Sequence, residues 1–349
     1  MNRDYLRVGM LGLGFVALKY TKFYAEYPRS RLTAVYDISA EATAETAKAT
    51  GARAAPSEDA LIAADDVDVV VISTPNFLHT KQTKAALAAG KHVLLQKPMT
   101  VTAAEAAELV EAARQAKDAR LGIYMNSLDN PVFRDIKAMI AAGTLGRIGA
   151  INAKLANGTS SRWKSGSTPV WRQSKAAVGG GSFAMLAYHY INLAQWLLDE
   201  PIVNVTARGK NLMSPHIEGD DIMASIAEFQ NGALAVLESA WCVSGEQFSI
   251  HGTNGSLAYI DNNHISMKAD APFEGVTIRY KTPGERIFLE GRRAPAMDDL
   301  ANPYNQHREF IDAILDGKPV TVTPEKGLQD MRVLEAAYRA SASGHTETV

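Results

Sequence analysis

A glycine-rich turn near the N-terminus has the residue types and spacing that dinucleotide binding requires. Gly12 and Gly14 follow an apolar run, and Phe15, Val16 and Ala17 open the next segment. Glycines allow a tight turn and a close backbone approach to a pyrophosphate, which helix-terminal N–H groups can bind. The alternative is an ordinary glycine-rich connection between a strand and a helix.

Asp37 strengthens the dinucleotide interpretation, because it stands 23 residues beyond Gly14 at the end of a second apolar run. A carboxylate there can accept hydrogen bonds from the adenosine ribose hydroxyls. It would repel a 2′-phosphate, and neither Ile38 nor Ser39 supplies the arginine that usually accommodates one. The sequence therefore favours NAD over NADP, with helix capping as the alternative role of Asp37.

Further polar side chains follow later apolar runs and form a second group of candidates for cofactor binding. They are Ser73, Thr74, Asn76 and His79 after one run, Gln96 and Lys97 after the next, and Asn126 after the last. Helix capping is the alternative role of Asn76, His79 and Asn126. Lys97 adds a cationic side chain to this group.

An alternation of strand and helix patterns positions these residues. Such alternation predicts a doubly wound parallel sheet, with ligands bound at the carboxyl ends of its strands. The predicted strands are Leu6–Leu11, Leu32–Tyr36, Val67–Ile72, His92–Leu95 and Leu121–Met125, and the predicted helices are Gly14–Ala25, Ala40–Thr50, His79–Ala89 and Ala103–Lys117.

The pattern changes after residue 125, where helical crossovers become rare. We expect a Rossmann domain over residues 1–125 and an α+β domain with a large, mostly antiparallel open sheet over residues 126–349, the last nine residues being a polar tail. Turn residues at 230–232 and 253–255 indicate hairpins. The predicted elements are a helix at Pro131–Ala142 and strands at Ile148–Leu155, Ile202–Arg208, Ile222–Phe229 and Ala233–Trp241.

Composition excludes several classes of function. The net charge is −2, from 36 basic and 38 acidic residues without long runs of one sign, so we expect no nucleic-acid partner. The single cysteine, Cys242, suits a reducing compartment. The histidines lack metal-ligand spacing, and apolar runs are too short to span a membrane. We therefore expect a cytoplasmic protein without a metal.

Several longer motifs resemble the glucose-fructose oxidoreductase/inositol dehydrogenase (Gfo/Idh/MocA) family. The resemblance extends over nearly the whole chain. It rests on Ser73-Thr74-Pro75-Asn76-x-x-His79, the segment from Gly90 through Gln96-Lys97-Pro98, Gly146-Arg147-Ile148-Gly149, Trp171-Arg172, Gly179-Gly180-Gly181, His189 and Phe310-x-x-Ala313-Ile314-x-x-Gly317.

The resemblance implies a catalytic lysine beside the nicotinamide and a histidine from the second domain, which are Lys97 and His189 here. The family pattern has Glu-Lys-Pro at the lysine and, on the same helix as the histidine, an aspartate four residues before it. Both side chains would then project from one face of that helix. This chain has Gln96 and Met185 at those positions, and Asn192 replaces a further aspartate. Loss of neighbouring negative charge destabilises an ammonium, so we expect the pKa of Lys97 to lie nearer neutrality than in relatives with both carboxylates.

Residues near the histidine and the tryptophan–arginine pair are further candidates for ligand contact. Asn126, Arg172, Met185 and Tyr188 are predicted to contact substrate together with Lys97 and His189, and Trp171 and Arg172 to contact the cofactor as well. Aromatic packing is the alternative for Tyr188 and Tyr190, a core position for His189, and surface stacking for Trp171. Tyr304, Gln306 and His307 open a late helix and are candidates for the edge of the substrate cleft or for an interface.

The resemblance implies an NAD-dependent oxidoreductase that transfers hydride between the nicotinamide and a hydroxyl or carbonyl of a sugar or polyol bound between the domains. It also implies a homodimer or homotetramer that packs through the open sheet. Two alternatives remain: a dinucleotide-binding sensor without turnover, and a lyase or epimerase that retains its NAD. Retention of Lys97 argues against the sensor.

Overall fold

A computed structural model of the chain describes residues 4–163, 170–260, 264–269, 287–290, 302–303 and 305–349. In chain order its strands are β1 (Leu6–Leu11), β2 (Ser30–Tyr36), β3 (Arg53–Ala54), β4 (Val69–Ile72), β5 (His92–Gln96), β6 (Leu121–Tyr124), β7 (Ile148–Asn157), β8 (Ile202–Lys210), β9 (Ile222–Phe229), β10 (Leu234–Ala240), β11 (Ser244–Gly252), β12 (Gly255–Ile260), β13 (His264–Ala269), β14 (Ile287–Glu290) and β15 (Glu347–Thr348).

The helices lie between these strands and after them. They are α1 (Leu18–Glu26), α2 (Ala40–Thr50), α3 (Glu58–Ile62), α4 (Asn76–Ala88), α5 (Ala103–Gln115), α6 (Pro131–Ala141), α7 (Ser160–Trp163), α8 (Lys175–Val178), α9 (Tyr188–Leu198), α10 (Gln306–Leu315) and α11 (Pro324–Ser343). Short 3₁₀ helices span Asn126–Asp129 and Val170–Gln173, and a π-helix spans Phe183–Ala187.

The chain forms two compact units. The first contains Met1–Asp129 and Pro295–Met331, and the second contains Asn130–Ala294 and Arg332–Val349. The first change of unit lies four residues beyond the predicted boundary, but residues 295–331 were predicted to belong to the second domain. Residues 295–331 belong to the first unit because α10 packs on β6. A Cβ at Gly122 would lie 2.8 Å from the Phe310 ring, so the glycine leaves room for this contact.

A six-stranded sheet in the order β3-β2-β1-β4-β5-β6 forms the centre of the first unit within the described residues. All its strand pairs are parallel, as the alternating pattern predicted. β1 and β4 are sequence-distant neighbours at the centre, where the crossovers diverge to opposite faces. This is the point at which doubly wound sheets bind ligands.

Aromatic residues of α1 cover one face of this sheet. Tyr20, Phe23 and Tyr24 have no exposed surface and belong to one apolar cluster with Met10 and Val69. Burial of three such rings stabilises the unit by several kcal/mol, at about 2 kcal/mol or more for each side chain. α1 is therefore fixed firmly behind the glycine-rich turn that precedes it.

A nine-stranded sheet forms the centre of the second unit in the part of the chain that the structure describes. Its order is β14-β13-β12-β11-β7-β10-β9-β8-β15. Neighbouring strands are antiparallel except β7 and β10, so the prediction of a mostly antiparallel sheet is confirmed. The predicted polar tail is wrong in part, because α11 continues to Ser343 and Glu347 and Thr348 pair with β8 as an edge strand.

Candidate active site

The glycine-rich turn follows β1 and leaves open space at one of its two glycines. Gly12 has φ +85°, and a Cβ there would lie 2.7 Å from the backbone carbonyl carbon of Ser73. A Cβ at Gly14 would meet no atom within 4 Å. α1 begins at Leu18 and not at Gly14, because residues 14–17 form turns. The open space at Gly14 and the N–H groups of this first turn fit a pyrophosphate.

Asp37 ties the end of β2 to this turn. Its Oδ2 accepts the Leu13 N–H at 2.7 Å, and its Oδ1 accepts the Ser39 N–H at 2.9 Å. The cap of α2 is Ser39, whose hydroxyl accepts the Ala42 N–H. The helix-capping alternative for Asp37 is therefore wrong, and its carboxylate is partly exposed beside the glycine-rich turn.

Apolar side chains surround the turn and stand in solvent. Ile38 is 96% exposed, Phe15 is 79% exposed and Val16 is 36% exposed. The Lys19 ammonium lies 4.9 Å from the centre of the Phe15 ring. Large exposed apolar groups beside an open glycine turn are typical of a surface that a ligand covers.

The loop after β4 turns its polar groups into the protein. The Thr74 hydroxyl donates to Gln82 Oε1 at 2.6 Å, and Gln82 Nε2 donates to Glu58 at 2.7 Å. Asn76 is 2% exposed at the start of α4. Ser73 has a buried hydroxyl without a hydrogen-bond partner among the described residues. Thr74 and Asn76 therefore shape the loop through buried contacts.

His79 is fully buried behind the same loop. Its Nε2 lies 2.9 Å from the Thr74 carbonyl oxygen, and its Nδ1 lies 3.0 Å from that of Pro98. Burial lowers the pKa of His79 to about 4, so the ring is neutral at pH 7. The ring joins the loop after β4 to the turn after β5, and the contact of His79 with the cofactor stays a prediction.

Lys97 follows β5 directly, at the carboxyl edge of the parallel sheet. It is partly exposed, and the peptide bond to Pro98 is cis. Its backbone N–H donates to Oε1 of Gln96, the last residue of β5, at 3.1 Å. The Gln96 amide nitrogen donates to the Tyr20 hydroxyl at 2.9 Å.

Asn126 lies at the same edge, where it opens the 3₁₀ helix that follows β6. Its side-chain oxygen is buried and has no hydrogen-bond partner among the residues that the structure describes. The first unit thus brings residues from the ends of five adjacent strands to one edge of its sheet. They are Gly12, Asp37, Ser73, Gln96 with Lys97, and Asn126.

His189 lies in the second unit, in the first turn of α9, and its side chain is partly exposed. The π-helix Phe183–Ala187 precedes it directly, so positions 185 and 189 do not belong to one regular α-helix as predicted. A π-helical turn contains more residues than an α-helical one and often occurs at functional sites. It changes the angular relation between these two positions.

Two neighbours predicted to contact substrate have core positions instead. Tyr188 has no exposed surface, and Met185 is 9% exposed in an apolar cluster with Trp163 and Trp241. Tyr190 donates to Glu246 at 2.7 Å, across to the large sheet. Both side chains pack in the interior, and the substrate contacts of Met185 and Tyr188 stay predictions.

Asp220 and Tyr338 fix the glycine triplet before the π-helix, and sequence reasoning missed both. The Tyr338 hydroxyl donates to Asp220 at 2.8 Å and accepts the N–H groups of Gly181 and Ala184. Asp220 also accepts the Ser182 hydroxyl at 2.8 Å. A Cβ at Gly180 would collide with Tyr338, and one at Gly181 with the Asp220 backbone. The triplet was the only sequence signal for this close approach.

Arg172 is the candidate cation of the second unit. Its guanidinium lies 5.3 Å from the centre of the Trp171 ring, and Trp171 packs against the cluster that contains Met185. Burial lowers the pKa of Arg172, and its Nε has no hydrogen-bond partner among the described residues. The stacking alternative for Trp171 is thus observed, while burial removes water from around the Arg172 guanidinium.

Two of the remaining candidates, Gln306 and His307, are buried. Gln306 and His307 are 3% and 1% exposed in the interior of the first unit, so their proposed place at a cleft edge is wrong. Tyr304 lies outside the described residues. Within the described ranges, three or more metal-ligating side chains do not group together, and helices long and apolar enough to cross a membrane do not occur.

Comparisons with known proteins agree with this geometry. Residues 6–124 match the family described as "Oxidoreductase family, NAD-binding Rossmann fold", and residues 133–258 match the GFO/IDH/MocA C-terminal domain. The chain is 28% identical to 1,5-anhydro-D-fructose reductase of Ensifer adhaerens, covering 98% of both chains. It is 27% identical to levoglucosan dehydrogenase of Pseudarthrobacter phenanthrenivorans, covering 96% of this chain and 97% of that one.

A solved structure extends the similarity over the whole chain. GenD2 from gentamicin A biosynthesis, in complex with NAD, matches with a TM-score of 0.83 and 27% identity. The match covers 100% of this chain and 97% of that chain. The glycine turn, the parallel sheet and the antiparallel sheet therefore all lie within one shared architecture.

Proposed function

The chain belongs to the Gfo/Idh/MocA family of NAD-binding oxidoreductases, and from this premise we propose that it oxidises or reduces a sugar, polyol or sugar derivative with NAD. Lys97 carries the proposal, because an ionisable amine follows β5 at the sheet edge that also holds the open glycine turn. The names of two relatives, an anhydrofructose reductase and a levoglucosan dehydrogenase, support the substrate class.

The residues that would hold NAD are those of the first-unit edge. The backbone of Gly12 to Val16 would bind the pyrophosphate, with Phe15 and Val16 covering it, and Asp37 would accept the ribose hydroxyls. Ser73, Thr74, Asn76, His79 and Gln96 would shape the surface beneath it, and Asn126 would lie toward its nicotinamide end. When bound, NAD would supply the nicotinamide carbon that accepts or donates hydride.

Lys97 would act as the base in the oxidative direction. Its Nζ would accept the proton of the substrate hydroxyl while the hydrogen on the same carbon leaves as hydride, and the carbonyl product would form. In the reductive direction the ammonium would return that proton to the oxygen. Removal of the family carboxylate at position 96 would favour the neutral amine that this role requires.

In the second unit, we assign substrate contacts to His189 and Arg172. His189 is partly exposed at the start of α9, so its imidazole can orient or protonate a hydroxyl. The Arg172 guanidinium is desolvated and retains donors, which suits a substrate oxygen or a cofactor oxyanion. Trp171 would support it by stacking.

The test is NAD reduction with a panel of sugars, inositols, aldonates and their phosphates, in the wild type and in Lys97→Met. We expect turnover of at least one compound, and a loss of kcat of about 100-fold or more in the variant, since general base catalysis contributes about that much. NADH affinity, measured by fluorescence, should change little. Turnover that survives Lys97→Met would contradict the role of the lysine.

Other results would favour the alternatives. NAD binding without turnover of any compound would indicate a sensor, and tightly retained NAD with conversion of substrate but without net NADH would indicate a lyase or epimerase. We also propose a preference for NAD, since Asp37 stands where a 2′-phosphate would be repelled. A higher kcat/KM with NADPH than with NADH would contradict this preference.

We further propose a homodimer or homotetramer in the cytoplasm. Three apolar side chains of neighbouring strands β9 and β10 stand in solvent: Ile226, Leu234 and Val236 are 52%, 45% and 42% exposed. Such a stripe on an open sheet suits a second copy of the chain. Light scattering tests the oligomer, and a monomer would contradict it. The single cysteine suits a reducing compartment, which cell fractionation tests.

A further inference from the structure

A hydrogen-bonded chain runs from the backbone of Lys97 into the interior of the first unit. The Lys97 N–H donates to Gln96 Oε1 at 3.1 Å, and Gln96 Nε2 donates to the Tyr20 hydroxyl at 2.9 Å. The Tyr20 and Tyr124 hydroxyls are hydrogen bonded to each other. Tyr124 donates to Asp129 Oδ2 at 2.9 Å. We call these four side chains, Gln96, Tyr20, Tyr124 and Asp129, the Gln96 relay.

The two ends of the Gln96 relay determine which group donates each of its hydrogen bonds. Each phenol has one hydrogen to donate, and the Asp129 Oδ2 accepts the hydrogen of Tyr124. The Tyr124 hydrogen therefore goes to Asp129, the Tyr20 hydrogen goes to Tyr124, and the Gln96 amide nitrogen donates to Tyr20. The Gln96 amide oxygen is then left for the Lys97 N–H. The second oxygen of Asp129 accepts the Gln306 N–H at 2.7 Å, so both of its oxygens act as acceptors.

Three of the four relay side chains are buried and Gln96 is partly exposed, so the buried groups depend on one another for hydrogen bonds. Tyr20 is 0% exposed, Tyr124 is 2% and Asp129 is 7%. Burial raises the pKa of both tyrosines, so each phenol keeps its hydrogen. In such an environment an unmade hydrogen bond is costly, and a complete chain gives its members one arrangement.

The relay also connects elements that meet the cofactor site. Tyr20 lies in the first turn of α1, directly after the glycine turn, and Gln96 ends β5 beside Lys97. Asp129 ends the 3₁₀ helix that Asn126 begins. One chain of hydrogen bonds therefore links the glycine turn, the lysine turn and the segment after β6.

We propose that Gln96 is a positioning residue for Lys97, and that residues 96 and 129 must be a complementary amide and carboxylate. A carboxylate at position 96 beside Asp129 would leave acceptors at both ends and no hydrogen for the bond between the two phenols. The expected effect on activity rests on the proposed function of Lys97. The hydrogen bond from the Lys97 N–H to Gln96 does not depend on that function.

Two single variants and their combination test the direction of the relay. Gln96→Glu places acceptors at both ends. In Asp129→Asn the remaining side-chain oxygen would accept the Gln306 N–H, so the amide nitrogen would donate to Tyr124 and every hydrogen bond of the relay would reverse its direction. The Gln96 amide nitrogen would then face the Lys97 N–H. In the double variant the amide introduced at position 129 would donate to Tyr124, and Tyr124 would donate to Tyr20. Tyr20 would then donate to the carboxylate introduced at position 96, whose second oxygen would accept the Lys97 N–H.

We expect each single variant to lower kcat about 10-fold with NADH affinity unchanged, and the double variant to recover to within about 3-fold of the wild type. The thermal unfolding midpoint should also be lower in each single variant than in the double variant. This comparison keeps the test valid if a single variant folds poorly. Effects that simply add in the double variant would overturn the proposal. A loss confined to KM or to cofactor affinity would overturn it as well.

Hydrogen exchange of the Lys97 amide gives a readout that does not require turnover. We expect faster exchange in each single variant and a return to the slow rate in the double variant. If exchange follows this pattern while Lys97→Met remains active, the proposed function fails and the relay stands. If exchange in the two single variants is unchanged, the relay fails whatever Lys97 does.

Tyr20→Phe and Tyr24→Phe form a matched pair for the same measurement. Both tyrosines are fully buried on α1, but Tyr24 is bonded to His307 at 2.6 Å and lies outside the relay. Tyr20→Phe should accelerate exchange at Lys97, and Tyr24→Phe should not. Equal effects of the two variants would mean general loosening of α1 and would overturn the proposal.

Discussion

Gly12 and Gly14 stand two positions apart in one turn but are glycines for different reasons. At Gly12 the backbone has a positive φ and approaches the backbone after β4, so the protein itself excludes a side chain. At Gly14 nothing in the protein occupies the position of a Cβ. The glycine there is explained by the ligand that the turn would hold.

The two alanine variants of this turn should therefore separate folding from binding. Gly14→Ala should leave the thermal midpoint within about 2 °C of the wild type and weaken NAD binding about 10-fold or more, because its methyl group fills the space for the pyrophosphate. Calorimetry measures both. Gly12→Ala should lower the midpoint clearly, because its methyl group meets backbone. NAD affinity unaffected by Gly14→Ala would contradict the assignment of the turn.

The segment before α9 has a different helix type from the one that its sequence pattern predicts. A regular helix was expected there, but the chain forms a π-helix over Phe183–Ala187. Asp220 and Tyr338 accept or donate hydrogen bonds at its start, from a loop and from α11. These contacts hold the glycine triplet and hence the start of the helix that carries His189.

Tyr338→Phe should loosen this segment. The hydroxyl makes three hydrogen bonds, so its loss should reduce the free energy of unfolding by about 1–3 kcal/mol, as for other buried groups left without partners. Urea unfolding measures the change. Tyr190→Phe is a control, since the Tyr190 hydroxyl donates to Glu246 and not to a group at the triplet. If the two variants lose equal stability, Tyr338 has no special role at the triplet.

Two fully buried histidines make the stability of the whole molecule sensitive to acid. Burial lowers the pKa of His79 to about 4 and that of His307 to about 3, against 6.5 for an exposed histidine. The unfolded state therefore binds more protons than the folded state between these values and about 6.5. Their contribution to stability is complete above pH 6.5 and is lost as the pH falls toward 4.

We expect the free energy of unfolding to fall below pH 6.5, with up to about 1.4 kcal/mol per pH unit from each buried histidine. His307→Gln should remove one such contribution and flatten the profile. His345→Gln, at an exposed position, should leave the profile unchanged. Urea unfolding between pH 8 and pH 4.5 measures all three proteins. Identical slopes in the wild type and His307→Gln would contradict the prediction.

Sequence alone was sufficient for the parallel sheet, the glycine turn and the positions of Asp37 and Lys97. Period-two and period-3.6 patterns, turn residues and motif spacing are local properties of the chain, and they predicted β1 and α2 at their observed bounds. The mostly antiparallel second sheet followed from the same signals. The family resemblance, carried by motifs along the chain, was confirmed by the matched families.

Only the tertiary structure decided which candidate residues are exposed at the site and which are buried behind it. His79, Met185 and Tyr188 were candidates by position and proved to be buried, because burial depends on contacts between segments far apart in the sequence. The return of residues 295–331 to the first unit has the same cause, since Phe310 meets Gly122 across 188 positions. The Gln96 relay joins residues from three such segments, so its direction can be read only where they come together.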